Sequence, residues 1–188
     1  MNETELQLVM RAAFYASGCH RTQLRKDGRT PYIHHPLEVA NLLARHGADV
    51  TTIVAGLLHD VVEDTEATLD DIAREFGEEV ASLVAEVTDD KSLDKMRRKQ
   101  LQIEHAPHCS HRAKLIKLAD KACNLGNMAH AVPQGWSRQR IEEYFNWADA
   151  VVAGLRGAHP GLEACYDEAA RQGRAALNIP SPTQQAAS

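Results

Sequence analysis

The stretch that decides the fold is IVAGLLHDVVEDT, residues 53–65. Its first six residues are apolar and Val61 and Val62 continue the pattern, which predicts one helix at the centre of a packed domain. A histidine and three carboxylates lie at the end of that helix, between His59 and Asp64. Burying such groups without partners costs on the order of several kcal/mol each. The sequence therefore predicts a functional site at the end of the central helix.

Helical periodicity continues on both sides of this stretch. Asp49, Thr68, Ser110 and Ser137 each stand where a side chain can cap a following helix, and Thr68 forms a predicted capping box with Asp71. No alternating strand pattern and no glycine-rich phosphate loop is found. The pattern predicts an all-α fold, a single bundle of about eight or nine helices. Apolar residues at helical spacing mark the segments Leu6–Ser17, Leu37–Ala44, Ile53–Val62, Val80–Val87, Leu115–Leu125, Ile141–Val152 and Leu162–Leu177.

Composition limits the domain organisation and the compartment. The chain has 188 residues, of which 44% are hydrophobic and 25% charged, as expected for one soluble domain. We predict a domain over residues 1–178 and a disordered C-terminal tail over 179–188. No apolar run approaches the roughly 20 residues of a membrane span, and no signal-peptide pattern opens the chain. Four scattered cysteines without a C-x-x-C pair indicate a reducing, cytoplasmic environment.

The charge balance bears on possible partners. The net charge is −5, which argues against a dedicated nucleic-acid-binding protein, and nothing indicates a membrane partner. Basic residues do cluster, however, around Arg25 and around Lys95. A small anionic ligand is therefore compatible with the sequence, whereas the oligomeric state is not indicated.

The polar groups at the end of the central helix have a spacing that suits metal chemistry. In a continuous helix His59 and Glu63 share one face, and Asp60 and Asp64 share the adjacent face. Elsewhere a His-His-Pro sequence, residues 34–36, begins the preceding helix, and Asp120 lies on a later helix. A histidine, a His-Asp pair and a distant aspartate offer two nitrogen and two oxygen ligands, which suit Mn²⁺, Fe²⁺, Co²⁺ or Zn²⁺.

Taken together and in this order, these motifs resemble the HD-domain phosphohydrolases. Within them the chain is similar to the stand-alone alarmone hydrolases, which are related to the hydrolase half of the RelA/SpoT enzymes. The resemblance extends from the first helix to about Gly157. It depends on the segments RKDG (25–28), TPYIHHP (30–36), LLHDVVEDT (57–65), EVTDDK (86–91), KLADK (117–121) and GWS (135–137).

The resemblance implies a role for particular residues. It implies one divalent ion, usually Mn²⁺, held by His35, His59, Asp60 and Asp120. It implies that Glu63 and Asp64 orient and deprotonate the attacking water. It implies substrate contacts from Arg25, Lys26 and Asn124, and by a weaker match from Lys95, Arg140 and Tyr144. Two positions depart from the family pattern, Cys123 and Gly126, which bears on the lining of the pocket.

The family reaction is removal of the 3′-pyrophosphate from guanosine tetra- or pentaphosphate, which yields GDP or GTP; no synthetase domain fits in this length. Two alternatives stay open at this point. One is a phosphatase acting on NADPH or another nucleotide, and the other is a non-catalytic nucleotide sensor. Several residues also have simpler interpretations. Lys114, Lys117 and Lys121 have the spacing of a solvated helix face, and Trp136, Tyr144, Phe145 and Trp147 that of ordinary core packing.

Overall fold

The computed structural model describes residues 3–180. This part of the chain contains nine α-helices of eight residues or more, one single-turn helix, α4, and one short 3₁₀ helix, η1; none of its residues forms a β-strand beyond an isolated bridge. The all-α prediction is confirmed. The elements are α1 Glu3–Cys19, α2 His34–Arg45, α3 Val50–Leu58, α4 Val61–Asp64, α5 Leu69–Phe76, α6 Glu78–Val87, α7 Lys95–His105, η1 Ala106–His108, α8 His111–Met128, α9 Arg138–Ala153 and α10 Pro160–Leu177.

The four predicted caps begin helices as expected. Asp49 accepts a hydrogen bond from the Thr52 amide at the start of α3, and Thr68 and Asp71 form the predicted capping box of α5. Ser110 and Ser137 accept the corresponding amide bonds at α8 and α9. Each cap satisfies amides that no earlier turn of the helix can pair, so these starts follow from local sequence.

The central helix is shorter than predicted, and the prediction of one continuous helix through Val62 is wrong. Every residue of α3 from Thr52 to Leu58 is buried, and α3 packs against α1, α2, α6 and α8. The helix then ends at Leu58. The reason is local: His59 Nδ1 lies 2.8 Å from the Gly56 carbonyl, the oxygen that a continuous helix would pair with the Asp60 amide. His59 and Asp60 therefore lie at a bend between α3 and α4.

Helix α7 was not predicted, because it lacks hydrophobic periodicity. It contains no fully buried residue, and Asp94 caps it by accepting bonds from the amides of Met96 and Arg97. The face of α7 that points inward carries polar and cationic side chains, which line a cleft instead of a core: Lys95, Arg98, Lys99 and Gln102. A helix with such an inner face has no apolar stripe to detect.

The close packing of the end of α9 against η1 yields a prediction about stability. At the end of α9, a Cβ added to Gly154 would lie 2.8 Å from Ala106 Cβ and from Pro107 Cδ in η1. We expect Gly154→Ala to destabilise the protein by about 1–3 kcal/mol, because neither neighbour can move aside. The control is Gly126→Ala in α8, whose nearest neighbour is 4.0 Å away; it should be neutral or stabilising. Thermal unfolding measures both, and equal losses would contradict the packing argument.

The end of the chain falls partly outside the described residues. The predicted disordered tail begins at residue 179, yet Ile179 is buried and the Pro180 carbonyl accepts a 2.6 Å hydrogen bond from Arg174. Packing therefore extends to Pro180, and residues 181–188 lie outside the described part. None of the helices between residues 3 and 180 has the length and hydrophobicity needed to cross a membrane.

Candidate active site

Three separate parts of the fold bring two histidines and two aspartates together. His35 comes from the start of α2, His59 and Asp60 from the bend after α3, and Asp120 from α8. His35 Nε2 lies 3.0 Å from Asp120 Oδ1 and 3.6 Å from Asp60 Oδ2. His59 Nε2 lies 3.2 Å from Asp60 Oδ2 and 3.9 Å from Asp120 Oδ1. The structure thus gathers all four predicted metal ligands around one point.

The donor set of this cluster fits a divalent cation. Ligand atoms of His35, His59 and Asp120 lie within 4.8 Å of one another. The Nε2 atom of His59 is buried and, although close to Asp60, forms no well-aligned hydrogen bond. Its Nδ1 faces the Gly56 carbonyl, so the imidazole can donate there and direct the Nε2 lone pair toward the two carboxylates. The lone pair of His59 Nε2 and the carboxylates of Asp60 and Asp120 are all electron-rich, so a cation between them would stabilise the arrangement.

The electrostatics of the cluster indicate the same requirement. Burial alone would lower the pKa of His59, but Asp60 and Asp120 outweigh it and raise that pKa to about 9. Burial would likewise raise the pKa of Asp60, yet the two histidines hold it well below its usual range. In the absence of metal the cluster therefore retains a proton, which a divalent ion would displace.

Surrounding side chains fix the orientation of both aspartates. The Tyr32 hydroxyl donates to Asp60 Oδ2 at 2.5 Å. Lys121 Nζ donates to Asp120 Oδ2 at 2.9 Å, and Asn124 Nδ2 donates to Asp120 Oδ1 at 2.6 Å. Such partners hold metal-binding carboxylates in place. Asn124, predicted as a substrate contact, thus also positions a metal ligand.

The two predicted water-activating residues occupy different surroundings. Glu63 lines the cleft beside the metal cluster, with Oε2 accepting from the Asp89 amide at 3.2 Å. Burial, followed by the charge of Asp89, raises the pKa of Glu63 to about 7. Asp64 instead forms an ion pair with Lys91 and lines a neighbouring hollow. The Asp64 amide still donates to the Asp60 carbonyl at 2.9 Å, so the two aspartates lie one turn apart in α4 as predicted, but the Asp64 side chain faces away from the cleft that Asp60 lines.

The cleft beside the metal cluster has a volume of about 570 Å³ and is lined by all the predicted substrate contacts. Arg25 donates to Asn124 Oδ1 at 3.2 Å and lies 5.8 Å from the Tyr32 ring. Elsewhere in the cleft, the Arg140 guanidinium lies 4.3 Å from the Trp136 ring, and Trp136 makes an edge contact with Tyr144. Cations stacked on aromatic rings provide both charge and flat surfaces for a nucleotide.

Two simpler interpretations from the sequence are wrong in part. Lys117 and Lys121 are buried, at 9% and 5% exposure, and line the cleft instead of a solvated helix face. Trp136, Tyr144 and Trp147 also line the cleft, whereas Phe145 alone of the four aromatic residues is fully buried in the core. Sequence reasoning missed Lys99 as well, whose ammonium lies 4.8 Å from the Trp147 ring. Helical spacing shows which residues share a face of a helix, but it does not show whether that face lines a cleft, packs in the core or meets solvent.

Comparison with known proteins agrees with this site. Residues 12–146 match the family model for the HD domain. The chain therefore belongs to the HD domain family, and His35, His59 and Asp120 form a cluster that could hold a metal ion.

The names of individual relatives specify a reaction. A guanosine-3′,5′-bis(diphosphate) 3′-pyrophosphohydrolase, MESH1, from Xenopus tropicalis is 52% identical over 167 residues, covering 87% of this chain and 93% of the relative. The protein of the same name from Homo sapiens is 52% identical, with 85% and 91% covered. A solved structure described as a metazoan ortholog of SpoT that hydrolyses ppGpp superposes with a TM-score of 0.85 at 48% identity, covering 88% of this chain and 94% of that one.

Proposed function

We propose that this protein hydrolyses the 3′-pyrophosphate of guanosine tetra- and pentaphosphate, releasing pyrophosphate and GDP or GTP, with Mn²⁺ as its ion. The observation that carries the proposal is a single cleft that joins the metal-ligand cluster to a wall of cations and aromatic rings. Relatives about half identical over most of their length bear the name of this activity. A non-catalytic sensor would not need Glu63 beside an intact ligand set.

The roles of the residues follow from the geometry of the cleft. A bound divalent ion would lower the pKa of a water molecule and polarise a phosphoryl oxygen. Glu63 accepts the proton as the water oxygen bonds to phosphorus and the bond from phosphorus to the ribose O3′ breaks, and the departing O3′ takes up a proton from solvent to become a hydroxyl. Arg25, Lys26, Lys95 and Arg140 neutralise phosphate charge, and Trp136 and Tyr144 provide flat contacts for the base and ribose. Asp64, through Lys91, holds the segment that follows α6.

The raised pKa of Glu63 predicts the pH dependence of the reaction. A proton acceptor must be ionised, so the rate should fall as the pH drops below the pKa of Glu63. That pKa is about 7 before metal binds, and a neighbouring cation lowers it. We expect kcat/KM for guanosine tetraphosphate to rise with pH through an apparent pKa no higher than about 7. The Glu63→Gln variant should lack this rising limb; an unchanged limb in the variant would remove Glu63 from the role.

One product assay tests the proposed function. Metal-stripped protein is incubated with guanosine tetraphosphate with and without Mn²⁺, and the products are separated by anion exchange. GDP and pyrophosphate that form only with Mn²⁺ would support the proposal. If GDP and pyrophosphate do not form, the same preparation is tested on NADPH. Release of inorganic phosphate from NADPH would then support the phosphatase alternative in place of the proposed function.

The remaining proposals concern the chain as a whole. We place the protein in the cytoplasm, where its four cysteines, all free thiols, stay reduced. We also propose residues 1–178 as one hydrolase domain.

A further inference from the structure

Lys117 is a buried lysine in the cleft wall that the mechanism above does not use. It lies on α8, three residues before Asp120, and is 9% exposed. Its side chain lines the cleft, and within residues 3–180 it forms no hydrogen bond and no ion pair. Burial, reinforced by the charge of Lys121, lowers the pKa of Lys117. The folded protein therefore holds a lysine without a hydrogen-bond or ion-pair partner in the cleft, three residues before Asp120 on α8.

A second cation that lines the cleft has spare hydrogen-bonding capacity. Arg98 comes from α7, and its Nε is buried without a hydrogen-bond partner. Its Nη1 lies 3.7 Å from Glu63 Oε1, which leaves most of the guanidinium free. Gln102, one turn further along α7, has a buried Oε1 that is also unpartnered. Unpaired buried polar groups of this kind are expected to meet a ligand or ordered water.

Two other lysines of the cleft already have partners. Lys121 pairs with Asp120, and Lys99 lies over the rings of Tyr144 and Trp147. Lys117 has no such contact, although desolvating an unpaired ammonium is costly. An anion in the cleft would offset this cost through charge-assisted hydrogen bonds.

The position of Lys117 identifies which anion it meets. Residues three apart on a helix lie on the same face, with Cβ atoms about 5–6 Å apart, so Lys117 extends beside Asp120. A phosphoryl group held at the metal cluster has its next phosphate within reach of that side chain. We propose that Lys117, assisted by Arg98, binds the distal phosphate of the 3′-pyrophosphate and so favours transfer of a pyrophosphoryl group to water over transfer of a monophosphoryl group. This inference rests on the proposed function.

Calorimetric titration tests the subsite without turnover. The Mn²⁺-loaded protein is titrated with inorganic pyrophosphate and, separately, with orthophosphate. Lys117→Met should weaken pyrophosphate binding by about tenfold or more and change orthophosphate binding by less than about twofold. Lys114→Met is the matched control, since Lys114 lies one turn earlier on α8 and outside the cleft. Equal weakening of both anions, or unchanged pyrophosphate binding, would overturn the subsite.

Kinetics provide a second readout. Guanosine 5′-diphosphate 3′-diphosphate is compared with guanosine 5′-diphosphate 3′-monophosphate, which lacks only the distal phosphate. Lys117→Met should lower kcat/KM for the diphosphate by about thirtyfold relative to the monophosphate, and Lys117→Arg should restore part of the loss. Equal losses on both substrates contradict the inference. If the wild-type protein hydrolyses neither, the proposed function fails, and the titration still decides whether the subsite exists.

The Met substitution should not obscure these results through misfolding, because it removes a buried charge. We expect Lys117→Met to unfold at the wild-type temperature or above it. A variant that unfolded at a lower temperature would indicate that Lys117 has a partner in the folded protein, which would contradict the premise of an unpaired cation.

Discussion

Asp120→Asn should abolish metal binding and lower kcat/KM for guanosine tetraphosphate by at least about a thousandfold. Asp120 Oδ1 faces His35 Nε2 at 3.0 Å, while Oδ2 accepts from Lys121 at 2.9 Å. An asparagine must turn its amino group toward one of these two sides. It then either presents hydrogens to the metal position or repels the Lys121 ammonium. Metal content after desalting, measured by mass spectrometry, tests the expectation directly.

A matched control separates loss of metal from loss of stability. Asp149 also lies between two polar partners, since it accepts 2.5 Å and 2.7 Å hydrogen bonds from Tyr166 and Arg174, but it does not line the cleft. Asp149→Asn should lower the unfolding temperature and retain a full complement of metal. If Asp120→Asn kept its metal, the ligand assignment would be wrong. If Asp149→Asn lost metal as well, the effect would be attributable to instability.

Glu63→Gln should separate binding from turnover. The variant is expected to hold metal and nucleotide as the wild type does, while kcat falls by about 10²- to 10⁴-fold, because glutamine cannot accept the proton from water. Its Oε1 can still accept the bond that the Asp89 amide now donates to Glu63. Metal analysis, nucleotide titration and steady-state kinetics on one preparation provide the three readouts.

The same substitution should stabilise the metal-free protein at neutral pH and above. The folded-state pKa of Glu63, about 7, exceeds its ordinary value of 4.5. The folded protein thus favours the protonated carboxyl, and stability is lost as pH rises from about 4.5 through about 7. Glutamine imitates the protonated form, so at pH 8 we expect a gain of about 1 kcal/mol, or about 2–4 °C.

Glu143→Gln is the control for both effects. Glu143 lines the same cleft but pairs with Gln139, away from the metal cluster. It should leave turnover and stability near the wild-type values. Near-normal turnover in Glu63→Gln would exclude Glu63 as the proton acceptor, and a fall in its unfolding temperature would contradict the destabilising charge.

The sequence by itself determined the all-α class and the positions at which several helices begin. Caps such as Asp49 and Ser110 act on amides within three residues, so their effect can be predicted without knowing the tertiary structure. The four residues of the metal cluster were identifiable because their residue types and order form a motif. Their convergence was an inference from resemblance, since His35 and Asp120 are 85 positions apart in the chain.

The tertiary structure alone decided that Lys117, Lys121 and the inner face of α7 line a cleft. Hydrophobic periodicity reports which face of a helix is apolar, and it assigns cationic faces to solvent. A polar cleft inside the fold reverses that assignment, because lysines and arginines from neighbouring helices line it. Which cations meet there depends on how α7, α8 and α9 pack, and long-range packing of this kind leaves no periodic signal in the sequence.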